Sequence, residues 1–98
     1  MCSYNAINGH PSCANNYILN DIVRNKWGQI NSHISTDCGA VPNLRGNPVN
    51  AQNDTLAAAY AINNGTDLEM GSSLFNNLNE AVKLGIVSEG ELFFYQLP

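Results

Sequence analysis

The sequence is poor in basic residues. Lysine and arginine together number four against eight acidic residues, so the formal net charge is −4 over 98 residues. The four cations are scattered along the chain, at Arg24, Lys26, Arg45 and Lys83. Proteins that bind nucleic acid through its phosphates need a basic face. We therefore expect no nucleic-acid partner.

Long hydrophobic runs are also missing. The longest apolar stretch, residues 56–62, is far shorter than the roughly 20 residues of a membrane-spanning helix. No basic segment followed by an apolar run opens the chain, as a signal peptide would. The sequence thus predicts no membrane partner and no signal peptide within this chain.

Cysteine is scarce. The chain has three cysteines, an odd number, at Cys2, Cys13 and Cys38. At least one of them is unpaired within the chain. Together with His10 and His33 they match none of the tight ligand spacings of zinc sites, so we expect no metal.

The pattern that is present alternates strands and helices, which makes the fold class α/β. Alternation at this length predicts a parallel sheet with right-handed crossovers. Strands ending near Tyr4, Asp37 and Leu68 should then lie parallel and adjacent. The predicted elements are a strand over 1–4, a loop over 5–15, a helix from Asn15 or Asn16 to about Lys26, a strand over 30–36, a loop over 39–50, a helix over 55–63, a strand over 66–69 and a helix over 74–84.

Helix ends are marked by residues that favour caps and stops. Glycine in a left-handed conformation commonly follows the last helical turn, and a serine with glutamate three residues later forms a capping box at a helix start. The predicted signals are Trp27-Gly28, Asn64-Gly65 and Gly85 as stops and Ser88 with Glu91 as a capping box.

Polar side chains stand where two of these strands end. Tyr4 closes the first strand and Asp37 follows the second. Active sites of parallel α/β sheets gather at the carboxyl ends of the strands, so Asp37 is a candidate catalytic carboxylate. The alternative is an aspartate that caps the following loop, since Asp-x-Gly is common in turns.

Four stretches carry a resemblance to a known family. They are MCSYNAING at 1–9, PSCAN at 11–15, the helix from Ile18 to Trp27-Gly28, and TDCGAV at 36–41. In order and spacing they resemble glycoside hydrolase family 3, and within it the β-xylosidase branch. The resemblance covers residues 1 to about 92, and residues 93–98 depart from the family pattern.

The resemblance implies a partial TIM barrel, roughly the last three β/α units of a (β/α)8 barrel with parallel strands. Residues 1–98 would then be a fragment of the barrel domain. The family's Lys-His pair, which grips sugar hydroxyls, would lie before Met1, and its acid/base glutamate would lie after Pro98. We therefore expect negligible activity from this chain alone. The alternative is a catalytically incomplete product with a structural or weak binding role.

Site residues follow from the same resemblance. Asp37 matches the catalytic nucleophile, and Tyr4 and Met1 match residues of the subsite for the non-reducing sugar. Cys38 stands where β-glucosidases of the family carry tryptophan, which changes the wall of the sugar site and suggests a pentose. Each of these residues also has an interpretation that involves no sugar. The Tyr4 hydroxyl would bind water, and Met1 would be a disordered chain end. Cys38 would be a small buried residue that fits the available volume.

The implied function is that of a retaining exo-glycosidase, a β-1,4-xylosidase of xylan and hemicellulose breakdown. Its partner would be a carbohydrate such as a xylo-oligosaccharide or an aryl xyloside, with α-L-arabinofuranosides or β-glucosides as alternative substrates. No cofactor is implied, because a pair of carboxyl groups suffices for this reaction. The full-length parent would be extracellular.

The resemblance also bears on residues away from the nucleophile. Arg24 and Trp27 match a helix end that packs beneath the barrel and are expected to be structural. Asp67 is expected to support the loop backbone near the site. Met70 stands where many xylosidase-like members carry a cysteine that could pair with the one matching Cys38, and a Cys2–Cys13 disulfide stays an open option.

Overall fold

The computed structural model describes residues 1–88. Short helices and turns make up most of this part, and regular strands are brief. In chain order its elements are β1 (Ala6–Ile7), β2 (His10–Pro11), a 3₁₀ helix (Ser12–Ala14), a π-helix (Tyr17–Lys26), a 3₁₀ helix (Pro42–Arg45), α1 (Asp54–Asn63), a 3₁₀ helix (Leu74–Asn77) and α2 (Leu78–Lys83).

The predicted parallel strands are present as three extended segments that pair over a short length. Cys2 pairs in parallel with Thr36, and Ser35 pairs in parallel with Leu68. The amide of Asp37 donates to the Cys2 carbonyl at 2.9 Å, and the amide of Thr36 donates to the Leu68 carbonyl at 3.1 Å. The predicted direction and adjacency are therefore confirmed, with the segment ending at Asp37 in the middle.

The length predicted for the central strand is wrong. Residues 30–36 were expected to be extended, but parallel pairing within them is confined to Ser35 and Thr36. The amide of Ser32 donates to the Gln29 carbonyl at 3.1 Å, which closes a turn where the strand should begin. Alternation of side chains alone does not distinguish such a turn from extended backbone.

A hairpin occupies the region predicted as a loop over 5–15. Strands β1 and β2 pair antiparallel, Ala6 opposite Pro11 and Ile7 opposite His10. The two residues between them have positive φ, 52° at Asn8 and 81° at Gly9. Asn-Gly with both residues at positive φ is the preferred two-residue hairpin turn.

The first long helix agrees in extent with its prediction. The side-chain oxygen of Asn15 accepts from the Ile18 amide at 3.1 Å and so caps the helix start. The helix runs over Tyr17–Lys26 as a π-helix, and the Trp27 amide donates to the Ile22 carbonyl five residues back. Gly28, at φ 73°, follows the helix.

Helix α1 forms the centre of the core. Asn53 caps it by accepting from the Leu56 amide at 2.8 Å. Its alanines, being small, allow the neighbouring helices to approach closely, and Ala57, Ala58 and Ala61 are fully buried. The helix contacts all three 3₁₀ helices and α2. Two apolar clusters that share partly buried Leu74 and Phe75 surround it.

The chain reverses after α1 and α2 at glycines with positive φ. Gly65 has φ 116°, and the Thr66 amide donates to the Ala61 carbonyl at 3.0 Å, which confirms the predicted left-handed cap. Gly85 closes α2 at φ 75°. The helix predicted over 74–84 is split into the last 3₁₀ helix and α2. The predicted capping box needs Glu91, which lies outside the described residues.

A disulfide joins Cys2 to Cys13, with 5.2 Å between their Cα atoms. It packs with Leu19, Ile34 and Ala40 in a third buried cluster. The first parallel segment is thus covalently attached to the Ser12–Ala14 helix. Among residues 1–88, no helix is both long and apolar enough to cross a membrane.

Candidate functional site

Asp37 lies where the central parallel segment ends, and its side chain is half-buried. One carboxylate oxygen, Oδ1, accepts from the Cys38 amide at 2.8 Å. The backbone amide of Asp37 is bound to the Cys2 carbonyl, so the side chain projects from a fixed strand end. The bond to Cys38 is consistent with both interpretations of Asp37, the catalytic carboxylate and the loop cap.

The structure brings Tyr4 to the same edge as Asp37. Its hydroxyl donates to the Cys38 carbonyl. The pKa of Tyr4 is raised above the ordinary tyrosine value, first by desolvation and then by the negative charges of Asp37 and Cys38 and a hydrogen bond with the Asp37 side chain. Each cause favours the protonated phenol. Tyr4 therefore lies beside Asp37 with its one hydroxyl proton donated to the Cys38 carbonyl, and its hydroxyl is not left to water alone.

The other two predicted sugar-binding residues are exposed. Cys38 has a free thiol on the surface, so the interpretation of it as a small buried residue is wrong. Met1 is 81% exposed, and the described residues form no closed wall around it. Substrate binding by Met1 and Cys38 stays a prediction.

A loop that follows the third parallel segment closes around the residues next to Asp37. The amide of Met70 donates to the Thr36 hydroxyl oxygen at 3.0 Å, and the Gly39 amide donates to the Met70 carbonyl at 3.0 Å. A Cβ atom added to Gly71 would lie 2.6 Å from the Cβ of Cys38. The backbone on both sides of Asp37 is thus held by residues 70 and 71.

Glu69 fixes the start of this loop. Its carboxylate accepts from the Phe75 amide at 2.7 Å and from the Ser72 hydroxyl. The sequence alone assigned Glu69 no role, because its backbone partner Phe75 lies six residues further along the chain.

Replacing Gly71 by alanine should destabilise the chain by about 2–5 kcal/mol. Gly71 has φ +76°, which costs an L-residue about 1–2 kcal/mol. The new methyl group would also stand 2.8 Å from the Cα of Cys38, and overpacking of this kind costs about 1–3 kcal/mol more. Urea unfolding of the full chain measures the loss.

Gly28→Ala is the matched control for that experiment. Gly28 has nearly the same φ, +73°, but no atom lies within 4 Å of an added Cβ. It should show the conformational cost of about 1–2 kcal/mol alone. Equal losses in the two variants would contradict a close approach of residue 71 to Cys38.

Asp67 binds backbone of the central segment, in line with the supporting role expected of it, and also forms an ion pair with Arg24. Its Oδ2 atom accepts from the Arg24 guanidinium at 2.6 Å. The same atom accepts at 2.7 Å from the amide of Ile34, which lies three residues before Asp37. The side chains of Arg24 and Asp67 are 11% and 5% exposed. Arg24 is thus structural, as expected, whereas Trp27 is 66% exposed and does not pack as the resemblance implied.

Away from this edge, residues 1–88 contain a cavity on α1 and no cluster of metal-binding side chains. The described histidine, cysteine and acidic side chains form no group of three that could hold a metal ion. A cavity of about 160 Å³ lies on α1, lined by Leu56, Ala59, Tyr60, Asn63 and Ile86. None of these residues belongs to the edge that carries Asp37.

No family model matches the chain, but individual proteins do. It is 40% identical over 94 residues to exo-1,4-beta-xylosidase bxlB of Emericella nidulans. It is 39% identical over 93 residues to the probable exo-1,4-beta-xylosidase xlnD of Aspergillus japonicus. Each match covers 94% of this chain and 12% of the relative, so the chain spans about an eighth of these curated relatives.

Solved structures agree with these sequence matches. The chain superposes on a GH3 exo-beta-xylosidase, XlnD, with a TM-score of 0.80 and 34% identity over 94% of this chain and 13% of that one. A β-glucosidase from Listeria innocua gives a TM-score of 0.83 with 27% identity over 93% of this chain and 12% of that one. The fold is part of the TIM-barrel fold of these glycosidases. Over nearly its whole length, this chain is thus similar to a short part of exo-β-xylosidases, among them a GH3 enzyme.

Proposed function

We propose that this chain supplies the nucleophile of a retaining exo-β-1,4-xylosidase, and that the nucleophile is Asp37. One observation carries the proposal. A half-buried aspartate stands at the carboxyl edge of three parallel segments, and the Tyr4 hydroxyl at the same edge is bound to the carbonyl of the next residue, Cys38. The names of the relatives supply the substrate class, a β-1,4-linked xyloside.

The chemistry assigned to Asp37 is a double displacement. A carboxylate oxygen attacks the anomeric carbon, forming a C–O bond while the glycosidic C–O bond breaks and the leaving oxygen takes a proton from an acid group. The same group then removes a proton from water, which attacks the anomeric carbon and releases the carboxylate and the sugar. Both carboxyl groups are restored at the end of the cycle.

Three further residues are proposed to contact the sugar. The Tyr4 hydroxyl lies next to Asp37. Because its proton is donated to the Cys38 carbonyl, its oxygen would accept a hydrogen bond from a sugar hydroxyl. Cys38, exposed after the central segment, and Met1, exposed at the start of the first segment, would line the subsite of the terminal sugar. A xylo-oligosaccharide or an aryl xyloside is the proposed substrate, with α-L-arabinofuranosides and β-glucosides as alternatives, and no cofactor takes part.

Residues 1–98 are proposed to belong to the barrel domain, as its last three β/α units. The three parallel segments, with the π-helix between the first two and α1 between the last two, support this placement. The longer protein is proposed to act outside the cell. Residues 93–98, where the family pattern ends, lie outside the described part of the chain.

A second candidate is a chain that is catalytically incomplete by itself, with a structural or weak binding role. The hydrogen bonds and ion pairs of the carboxylates Glu69 and Asp67 favour this second candidate. Glu69 has both oxygens engaged, by Phe75 and Ser72, and Asp67 is bound to Arg24. A retaining mechanism needs a second carboxyl group about 5–5.5 Å from the nucleophile, and neither residue is free to serve. The acid/base group is therefore proposed to come from outside this chain.

A chimera tests the proposed function. This chain matches 94 residues of Emericella nidulans bxlB. In the chimera, the present chain replaces that segment of bxlB, and hydrolysis of an aryl β-xyloside is measured. We expect activity in the chimera and none in the isolated 98-residue chain, because only the chimera has both carboxyl groups. Aryl β-glucoside and aryl α-L-arabinofuranoside, assayed in parallel, decide among the three substrates.

The control is the unaltered bxlB protein, assayed and unfolded under the same conditions. A chimera that unfolds as cooperatively as this control but hydrolyses none of the three glycosides would contradict the proposal. Hydrolysis by the isolated chain would instead show that its own residues complete the site.

A further inference from the structure

We infer that Thr36 is a positioning residue for Asp37 and that it acts through the backbone of Met70. The inference rests on the proposed function, because it assigns Thr36 a part in holding the nucleophile. Thr36 directly precedes Asp37 in the central parallel segment, and its side chain is hydrogen-bonded to the backbone of Met70.

Thr36 is enclosed on all sides. The residue is 0% exposed, and its backbone is paired with Cys2 on one side and bound to the Leu68 carbonyl on the other. Its hydroxyl oxygen accepts from the Met70 amide at 3.0 Å. A buried hydroxyl persists where it is hydrogen-bonded, so this bond gives a physical reason for threonine, as opposed to valine, at this position.

Both backbone polar groups of Met70 are bound to neighbours of Asp37. The Met70 amide donates to the Thr36 hydroxyl oxygen, and the Met70 carbonyl accepts from the Gly39 amide, each at 3.0 Å. One residue thereby joins the positions before and after the pair Asp37-Cys38. Without the Thr36 hydroxyl, the Met70 amide would lose its partner, and one of the two bonds by which Met70 holds the residues around Asp37 would be gone.

The effect on the reaction follows from geometry. A nucleophile must sit within a narrow range of distance and angle, and a displacement of about 1 Å costs about a hundredfold in rate. Contacts of the sugar with other residues would be unaffected. Loss of the Thr36 hydroxyl should therefore slow the attack by Asp37 and leave substrate affinity nearly unchanged.

The test measures that attack directly, in the chimera described above. A xylobiose aziridine probe, of the kind bound in the XlnD structure, reports the covalent step. The carboxylate forms a C–O bond to the probe, the strained C–N bond breaks, and the nitrogen takes the proton of the acid group. Labelling followed against probe concentration gives a maximal rate and a half-saturating concentration separately.

Two variants at position 36 separate the hydroxyl from the shape of the side chain. Thr36→Val keeps the branched shape without the hydroxyl, and its maximal labelling rate should fall about a hundredfold at an unchanged half-saturating concentration. Thr36→Ser keeps the hydroxyl and should label at close to the parent rate. Hydrogen exchange at the Met70 amide should accelerate in Thr36→Val and not in Thr36→Ser.

Thr66→Val is the matched control. Thr66 is also 0% exposed, and its hydroxyl donates to the Cys13 carbonyl at 2.8 Å, away from Met70. Removing it should lower thermal stability without slowing labelling. If Thr36→Val does not fold, Thr36→Ala removes the same hydroxyl with a smaller side chain. Its maximal labelling rate should fall in the same way, at an unchanged half-saturating concentration.

The outcomes distinguish this inference from the proposed function. A folded parent chimera that takes no label overturns the proposed function and the role of Thr36 with it. A labelled parent whose Thr36→Val variant reacts at the parent rate, or slows no more than Thr66→Val, overturns the role of Thr36 alone. Slow labelling in Thr36→Val with recovery in Thr36→Ser supports it.

Discussion

Replacing Asp37 by alanine in the bxlB chimera should lower hydrolysis of an aryl β-xyloside by about 10⁴-fold or more, a loss of the size seen for other covalent nucleophiles. Without the carboxylate no glycosyl-enzyme intermediate forms. Azide should restore part of the rate, because a small anion enters the space that the carboxylate leaves. The product should then be a glycosyl azide of inverted configuration, which nuclear magnetic resonance identifies.

Asp21→Ala is the control, since Asp21 is an exposed carboxylate in the π-helix, away from the site. It should keep the parent rate. An Asp37→Ala variant that retained more than about a tenth of that rate would have lost under about 1.4 kcal/mol of transition-state stabilisation. That is too little for a covalent catalyst, and the interpretation of Asp37 as a loop cap would then hold.

The second large effect concerns stability. Arg24→Met should reduce the free energy of unfolding by about 3–5 kcal/mol, because removing one partner of a buried ion pair leaves the other charge uncompensated. Asp67 would keep only the Ile34 amide as a partner for Oδ2, and its Oδ1 atom is already buried without a hydrogen-bond partner among the described residues. Urea unfolding of the full chain measures the change.

Arg45→Met provides the comparison. Arg45 and Asp54 form the other described ion pair, at 3.1 Å, but both side chains are 50% exposed. Exposed pairs contribute about 0–1 kcal/mol, so this variant should unfold almost as the parent does. If the two arginine variants lost equal stability, burial of the Arg24–Asp67 pair would not be the source of its contribution.

The sequence was sufficient to predict features that depend on local signals. The helix over Asp54–Asn63 and its glycine stop follow from an alanine-rich run between Asn53 and Gly65. The parallel order of the three segments follows from alternation of strands and helices. The same reasoning placed Tyr4 and Asp37 at one edge, because parallel strands present their carboxyl ends together.

One miss was avoidable. Asn8-Gly9 is the strongest short hairpin signal, but Gly9 and Pro11 were interpreted as a loop, whereas the turn joins two strands of two residues each. The π-helical form of Tyr17–Lys26, by contrast, could not be predicted from the sequence. The π-helical bonding of Tyr17–Lys26 leaves no trace in a spacing of apolar residues that fits a helix in general.

The part of the site that sequence reasoning missed depends on contacts between distant residues. Met70 and Thr36 are 34 positions apart, and their bond joins a backbone amide to a side chain. No motif encodes such a contact. The ion pair of Asp67 was not predicted for the same reason, because its partner Arg24 lies 43 positions away on the π-helix.

The Cys2–Cys13 disulfide has a consequence for the integrity of the protein. Tyr4 and the exposed hairpin turn at Asn8-Gly9 both lie inside the covalent ring that the disulfide closes. If a protease cuts the peptide bond at this turn, the two pieces remain joined through sulfur. Tyr4 therefore stays attached to the rest of the chain after a nick in the most accessible loop of the edge, and it is released only when the disulfide is reduced.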